Sequence, residues 1–240
     1  MRNLIFCGDI HGEFHKLVWR LQGKKVTDSD IVICGDIGIG FDDSEQDLDN
    51  LSHSKKCKWF RNSGNKIYCV RGNHDDPDRF KELTQVRDFP IWLVPDYTLL
   101  ELEASDVLCI GGGFSIDYEY RQMAGFGWWK GEMPKYNSEK LTSVLSKPMK
   151  SLCVATHSSP SFCPPYEKIP NARPCILEGC KKERDEMDLF FKHIDFQVPK
   201  SLRVSWYYGH FHMNQPPLIQ DNFSFYHLNI MELREYLPIN

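Results

Sequence analysis

The sequence predicts an α/β fold built around a partly parallel sheet. Two observations carry this. Short β-like runs alternate with segments of helical periodicity through the first third of the chain. That order is what parallel strands joined by helical crossovers require. Five separate apolar runs also each stop at an acid, an amide or an imidazole. Loops at the carboxyl ends of strands in open α/β sheets are where such groups gather.

The elements follow in order. Residues 2–7 (RNLIFC) and 30–34 (DIVIC) read as strands. Between them, 13–22 places Phe14, Leu17, Val18 and Leu21 at helical spacing. Residues 44–62 read as one mostly polar helix with Leu48, Leu51, Trp59 and Phe60 apolar, and 66–70 as a third strand. Strands at 97–103 and 106–111 form a hairpin turned at Ala104 and Ser105. Residues 113–134 are rich in glycine and aromatics, and a helix covers 138–145. A strand at 151–155 leads into a Pro-rich loop, 156–180, expected to be irregular and to lie over the surface. A helix at 183–194 and strands at 202–208 and 223–228 complete the reading. No repeat or linker divides the chain, so residues 1–240 are expected to form one domain.

Composition narrows the function. At 240 residues, with 41% hydrophobic and 26% charged residues, the chain can bury a substantial core. A net charge of −4 gives no support for a surface that binds long nucleic acid. No apolar run approaches the roughly 20 residues needed to span a membrane. The first strand begins almost at the initiator Met, which leaves no room for a signal peptide. Nine cysteines, several inside apolar runs, suit a reducing cytoplasmic setting in which most of them are small core residues. Cys163, Cys175 and Cys180 share a polar region and could form a zinc site, although no paired CxxC is present.

The apolar runs end as follows: FCGDIHG on Asp9 and His11, VICGDIG on Asp36, CVRGNHD on Asn73 and His74, CVATHSS on His157, and WYYGHFH on His210 and His212. Taken singly, a GD or GNH is a turn. Taken together, the set supplies two carboxylates, one amide and four imidazoles. That is too many donors for one tetrahedral ion and suits two adjacent ions. Mixed imidazole and carboxylate donors favour Mn, Fe, Zn, Ni or Co over Ca. A bridging carboxylate holds two cations about 3.5–4 Å apart. In Asp9-x-His11 and His210-x-His212 the alternating spacing suits extended backbone, where alternate side chains share one side.

These pieces, GDIHG (8–12), GD (35–36), GNHD (72–75), His157 and GHFH (209–212), resemble the calcineurin-like metallophosphoesterases in content and order. The resemblance implies an α-β-β-α four-layer sandwich of two mixed β-sheets flanked by helices, with two divalent metal ions, manganese first among them, at one edge. It implies that Asp9, His11 and His212 hold the first metal, that Asp36 bridges, and that Asn73, His157 and His210 hold the second. It further implies hydrolysis of phosphate esters by a metal-bridging hydroxide. His74 would act as general acid and Asp75 as its orienting partner. The substrate expected is a phosphate ester, a nucleotide or phosphoprotein among the possibilities. A cyclic-nucleotide phosphodiesterase or nuclease would use the same metals, and a non-catalytic scaffold would keep the sandwich but shed ligands. Ser115, Ser158 and Cys153 have no evident base partner and read as structural residues.

One departure is visible. Protein Ser/Thr phosphatases of this superfamily extend the second motif as GDxVDRG, whereas here it reads GDIGIG (35–40), without the later Asp and Arg. Arg71 and Arg121 are the available substitutes for phosphate binding, a task that suits a bidentate guanidinium. The segment 111–132 carries Tyr118, Tyr120, Trp128, Trp129 and Lys130. It is expected either to pack on the core or to wall the substrate site, with an aromatic against a base. Its GG-x-S-x-D and WW-x-x-E patterns resemble uncharacterised bacterial and phage-like members of the superfamily.

Overall fold

The computed structural model describes residues 2–165 and 172–238. Two six-stranded sheets lie face to face. The first contains β1 (Asn3–Cys7), β2 (Ser29–Cys34), β3 (Lys66–Val70), β4 (Thr84–Gln85), β5 (Ile91–Val94) and β12 (Leu233–Glu235), in the order β12-β1-β2-β3-β5-β4. The second contains β6 (Thr98–Glu101), β7 (Asp106–Ile110), β8 (Leu152–Thr156), β9 (Val204–Tyr208), β10 (Leu218–Gln220) and β11 (Phe223–His227), in the order β10-β11-β9-β8-β7-β6. In each sheet four parallel strands form the centre and an antiparallel strand closes each edge.

Three apolar layers explain the stack. The outer face of the first sheet packs against α1 (Phe14–Gly23), α2 (Asp42–Ser52) and α3 (Lys55–Asn62) through Phe14, Leu17, Leu21, Leu48, Leu51 and Phe60. The outer face of the second packs against α5 (Ser138–Leu145) and α6 (Pro174–Gln197) through Leu141, Leu145, Met187, Phe190 and Ile194. Between the sheets lie Leu4, Phe6, Val32, Cys34, Val70, Val107, Cys153 and Tyr207. Strands buried on both faces read as continuous apolar runs. That is why IFC, VIC and LCVA show no alternation. The remaining helix, α4 (Tyr118–Ala124), lies outside these layers.

The α-β-β-α sandwich is therefore present. Its details depart from the expectation in places. The helix expected over 44–62 is broken: α2 ends at Ser52, and Ser54 caps α3 by accepting the Cys57 N–H. The loop expected over 156–180 stops early, because α6 already begins at Pro174. Pro is well placed there, since its missing N–H is one the first turn leaves unbonded anyway. Residues 166–171 of that loop lie outside the described residues. Strands β4, β5, β10 and β12 were not anticipated; three of them have only two or three residues.

Because β1, β2 and β3 run parallel, as do β7, β8 and β9, each set delivers its carboxyl ends to one edge of its sheet. The sheets are held in register by ring stacking of Phe6 on Tyr207, with centroids 3.7 Å apart and planes within 5°. We predict that Phe6→Ala lowers stability in urea unfolding by about 3–5 kcal/mol, the usual result of emptying a buried aromatic site. Truncating Phe196, which is 92% exposed, should cost less than about 0.5 kcal/mol.

Candidate metal centre

All the loops that carry the predicted donors meet where the two sheets present their strand ends. The first and second motif loops are laced by their backbones: the N–H groups of Ile10 and His11 donate to Asp36 O, and that of Gly12 to Ile37 O. Within the second sheet, Gly209 N–H donates to His157 O and ties the loops that follow β8 and β9. Gly209 must be a glycine, because a Cβ there would lie 2.0 Å from Asp9 Oδ1. Four predicted donors, His11, Asp36, His210 and His212, take positive φ of 46–73°. Non-glycine residues adopt that region at a cost, and such strain concentrates at functional sites.

One half of the site gathers Asp9, His11, Asp36 and His212, whose donor atoms lie within 4.8 Å of one another. His212 Nε2 stands 2.8 Å from Asp9 Oδ2 and 3.0 Å from His11 Nε2. The other half gathers Asn73, His157 and His210. His157 Nε2 stands 2.9 Å from Asn73 Oδ1 and 3.2 Å from Asp36 Oδ1, and its ring lies 4.6 Å from that of His210. Asp36 joins the halves: Oδ1 faces His157, while Oδ2 faces His11 at 3.9 Å. Asp9, Asp36 and His157 are buried, and His11 and His212 form the more open rim.

The donor chemistry fits cations. His157 Nδ1 lies 2.9 Å from Cys34 O, so Nδ1–H donates there and Nε2 keeps its lone pair. Asn73 Nδ2 donates to Ser115 Oγ, which turns the amide oxygen toward His157. Three electron-rich atoms, Nε2 of His157, Oδ1 of Asn73 and Oδ1 of Asp36, thus converge. Without a cation only a proton can relieve them. Burial opposes a charge on His157, yet Asp36 and Asp9 outweigh it and raise its pKa to about 10. Burial likewise acts to raise the pKa of Asp36, and the His157 charge overcomes it, so the carboxyl ends well below its ordinary value.

The catalytic and substrate residues expected from the motif divide. His74 is half-buried and faces the site, with Nε2 3.9 Å from Asp36 Oδ2. Burial first, with the charge of Arg121 assisting, lowers its pKa to about 4 against the opposing pull of Asp36. Arg121 reaches the site: Nη2 donates to His74 Nε2 at 2.7 Å, while Nε is held by Asp117 Oδ2 and Nη1 by Gly127 O.

Two expectations are corrected. Asp75 does not serve as the partner of the His74 ring, because its two oxygens take the backbone N–H groups of Ile37, Gly38, Ile39 and Gly72 at 2.7–3.1 Å. It is the brace that ties the second motif loop to the third. Arg71 is not placed for substrate. It is 4% exposed, and its guanidinium is engaged by Asp96 Oδ2 and by the carbonyls of Gly131 and Glu132.

The zinc reading of the cysteines also falls. Cys163 lies in the core under the second sheet, whereas Cys175 is exposed and donates to Glu119. Among the described residues the grouping of three or more His, Cys, Asp and Glu donors is Asp9, His11, Asp36 and His212, and it contains no cysteine.

Residues not singled out in sequence complete the surroundings. Glu132, the acid of WW-x-x-E, accepts both the N–H and the hydroxyl of Ser115, the serine of GG-x-S. Through Ser115 it fixes the Asn73 amide. Gly113 lies so close that an added Cβ would meet Asn73, His157 and His210 within 3.2 Å. The pairing of the two patterns in one segment was the available signal.

Comparison with known proteins agrees with this geometry. Residues 2–214 match the family described as calcineurin-like phosphoesterase (Metallophos). The chain belongs to that family. Its members are metal-dependent phosphoester hydrolases, and the chain carries an Asp–His cluster that could hold a metal. A crystal structure of the 5'-nucleotidase from Candida albicans SC5314 is similar at a TM-score of 0.45 and 11% identity. The match covers 95% of this chain and 45% of that one, so the chain spans less than half the length of that neighbour. No curated relative matches the sequence.

The brace role of Asp75 separates from any role on the His74 ring. Asp75→Ala should lower stability in urea by about 2–4 kcal/mol with no metal added, since four N–H groups lose a charged acceptor. His74→Ala, at a half-buried position, should change it by less than about 1 kcal/mol.

Proposed function

We propose that this chain is a dinuclear metal-dependent phosphoesterase whose ligands are Asp9, His11, Asp36, Asn73, His157, His210 and His212. The observation that carries the reading is the division of Asp36, one oxygen toward His157 and the other toward His11. A carboxylate so placed is the natural bridge between two cations. The imidazole and carboxylate donors suit manganese, iron, zinc, nickel or cobalt, and manganese is the first of these by resemblance to the family. Bound there, two divalent cations would polarise the phosphoryl oxygens and lower the pKa of the attacking water.

The chain's own groups supply the rest. Asp117 and Gly127 O aim the Arg121 guanidinium at His74. Arg121 meets a phosphate oxygen, because a guanidinium prefers a phosphate to a neutral imidazole. In turning to phosphate it frees the lone pair of His74 Nε2, which takes up a proton from solvent and then passes it to the departing alkoxide. Phe41 stands 6.1 Å from the His74 ring, and Trp129 meets Phe41 edge-on at 5.3 Å. This aromatic wall supports a second reading, a nucleotide substrate and a cyclic-nucleotide phosphodiesterase activity. The complete donor set weighs against a non-catalytic scaffold. The core shared by both sheets supports a single domain over 1–240. No described helix is long and apolar enough to cross a membrane, and nine free cysteines support a cytoplasmic setting.

The test is hydrolysis of p-nitrophenyl phosphate beside bis-p-nitrophenyl phosphate by the manganese-loaded protein. Asp36→Asn should lower either activity by more than about 100-fold, beyond what loss of a residue behind a ligand costs. Preference for one ester decides between monoesterase and diesterase. Activity retained by Asp36→Asn sinks the dinuclear reading. Arg121→Ala should lose about 1.5–3 kcal/mol of transition-state stabilisation, roughly 10–150-fold in kcat/KM. His74→Ala should lose about 10²–10⁴-fold with an alkyl phosphate and much less with p-nitrophenyl phosphate, whose leaving group departs without a proton.

A further inference from the structure

The apolar stripe of α6 contains one residue that packing does not explain. The buried positions of this helix are Ile176, Gly179, Glu183, Met187, Phe190 and Ile194, a steady three- and four-residue spacing. Every position but one is apolar or glycine. Glu183 is 2% exposed, and an unpaired carboxylate buried at such a place costs several kcal/mol. Its neighbour Arg184 does not balance it directly, since that guanidinium is turned to Ser159 Oγ and Cys163 O. Glu183 Oε1 has no hydrogen-bond partner and faces His210 Nε2 at 3.2 Å, with the Ser158 side chain also beside the carboxylate.

We propose that Glu183 is a positioning residue for the second half of the metal centre. It accepts Nε2–H of His210, fixes that tautomer and leaves Nδ1 with its lone pair as the ligating atom. The inference rests on the reading of His210 as a ligand. A ring with two equivalent nitrogens gains orientation from such a carboxylate, and ligand basicity rises with it. His157 uses a different acceptor for the same purpose: its Nδ1–H donates to Cys34 O, which leaves Nε2 free. The two imidazoles therefore offer opposite nitrogens. The Asn73 amide, turned by Ser115 and Glu132, is the third donor of this half. On this view α6 is more than a cover for the second sheet.

Manganese binding to the full chain, measured by isothermal titration, tests this. Glu183→Met keeps the volume and restores an apolar stripe, so its metal-free stability should match or exceed the parent's. It should nevertheless weaken one of two manganese sites by about 10–100-fold, leave the other unchanged, and be partly rescued by Glu183→Gln, which returns an acceptor. Two sites of parental affinity in Glu183→Met overturn the proposal. His210→Ala separates this failure from that of the underlying reading: if both sites survive His210→Ala, His210 is not a ligand and the premise is lost. Should Glu183→Met not fold, the ¹⁵N shifts of His210 in the parent protein decide. An Nε2–H tautomer is expected, and an Nδ1–H tautomer overturns the proposal.

Discussion

Two buried carboxylates set the terms for the rest of this structure. Asp9 and Asp36 are withdrawn from water at the line where the two sheets present their strand ends. Charge in such a place must be met by opposite charge or by donors. The protein meets it from every side. His210 N–H reaches Asp9, His74 N–H reaches Asp36, and the imidazoles of His11, His157 and His212 close around both. The sheets themselves serve this end: four parallel strands in each, packed through Phe6 and Tyr207, bring loops from positions 9 and 212 into contact. Without the sandwich the acids would sit apart, in water, and hold nothing.

The next layer has the opposite task, which is to stop these groups from satisfying one another in unproductive ways. A side-chain amide can present either its oxygen or its NH₂, and an imidazole either nitrogen. The chain settles each choice with a dedicated partner. Glu132 holds Ser115, and Ser115 takes the Asn73 NH₂, so the amide oxygen faces inward. Cys34 O takes His157 Nδ1–H. Asp75 spends its whole carboxylate on backbone N–H groups of the second and third motif loops, which keeps Asp36 and Asn73 at fixed separation. Acidic residues here do three kinds of work that sequence alone does not tell apart.

That difference explains what was legible. The donors could be read because each follows an apolar strand and because five such endings in order have no common explanation as turns. The helix at 138–145 was read to the residue, since Asn137 caps it through the Lys140 N–H and the apolar spacing is clean. Strands β4, β10 and β12 were not visible, because two or three residues held mainly by pairing to a neighbour carry no period of their own. Arg71 and Asp75 were misplaced for a shared reason. Both stand two residues from Asn73, but β3 ends at Val70 and the chain turns at 73–74, so the rule that alternate side chains share one side does not hold there. Arg71 turns to Asp96, and Asp75 turns under the loop. Glu183 left a trace that was passed over, a charge at an apolar position of a helical stripe.

Segment 111–132 supplies partners to two of the side chains gathered at the site. Its backbone is tied down at Arg71 O and Glu132 O by Gly112 and Gly113. From that fixed base it sends Ser115 to the Asn73 amide and Arg121, aimed by Asp117, to the His74 imidazole. The GDIGIG loop supplies no arginine of its own, and Arg121 reaches the site from α4. A guanidinium held at two of its nitrogens keeps its direction while the third exchanges partners. Burial is the larger cause of the lowered His74 pKa, and the Arg121 charge adds to it. A phosphate that drew Arg121 away would remove that smaller part of the lowering and leave the part due to burial.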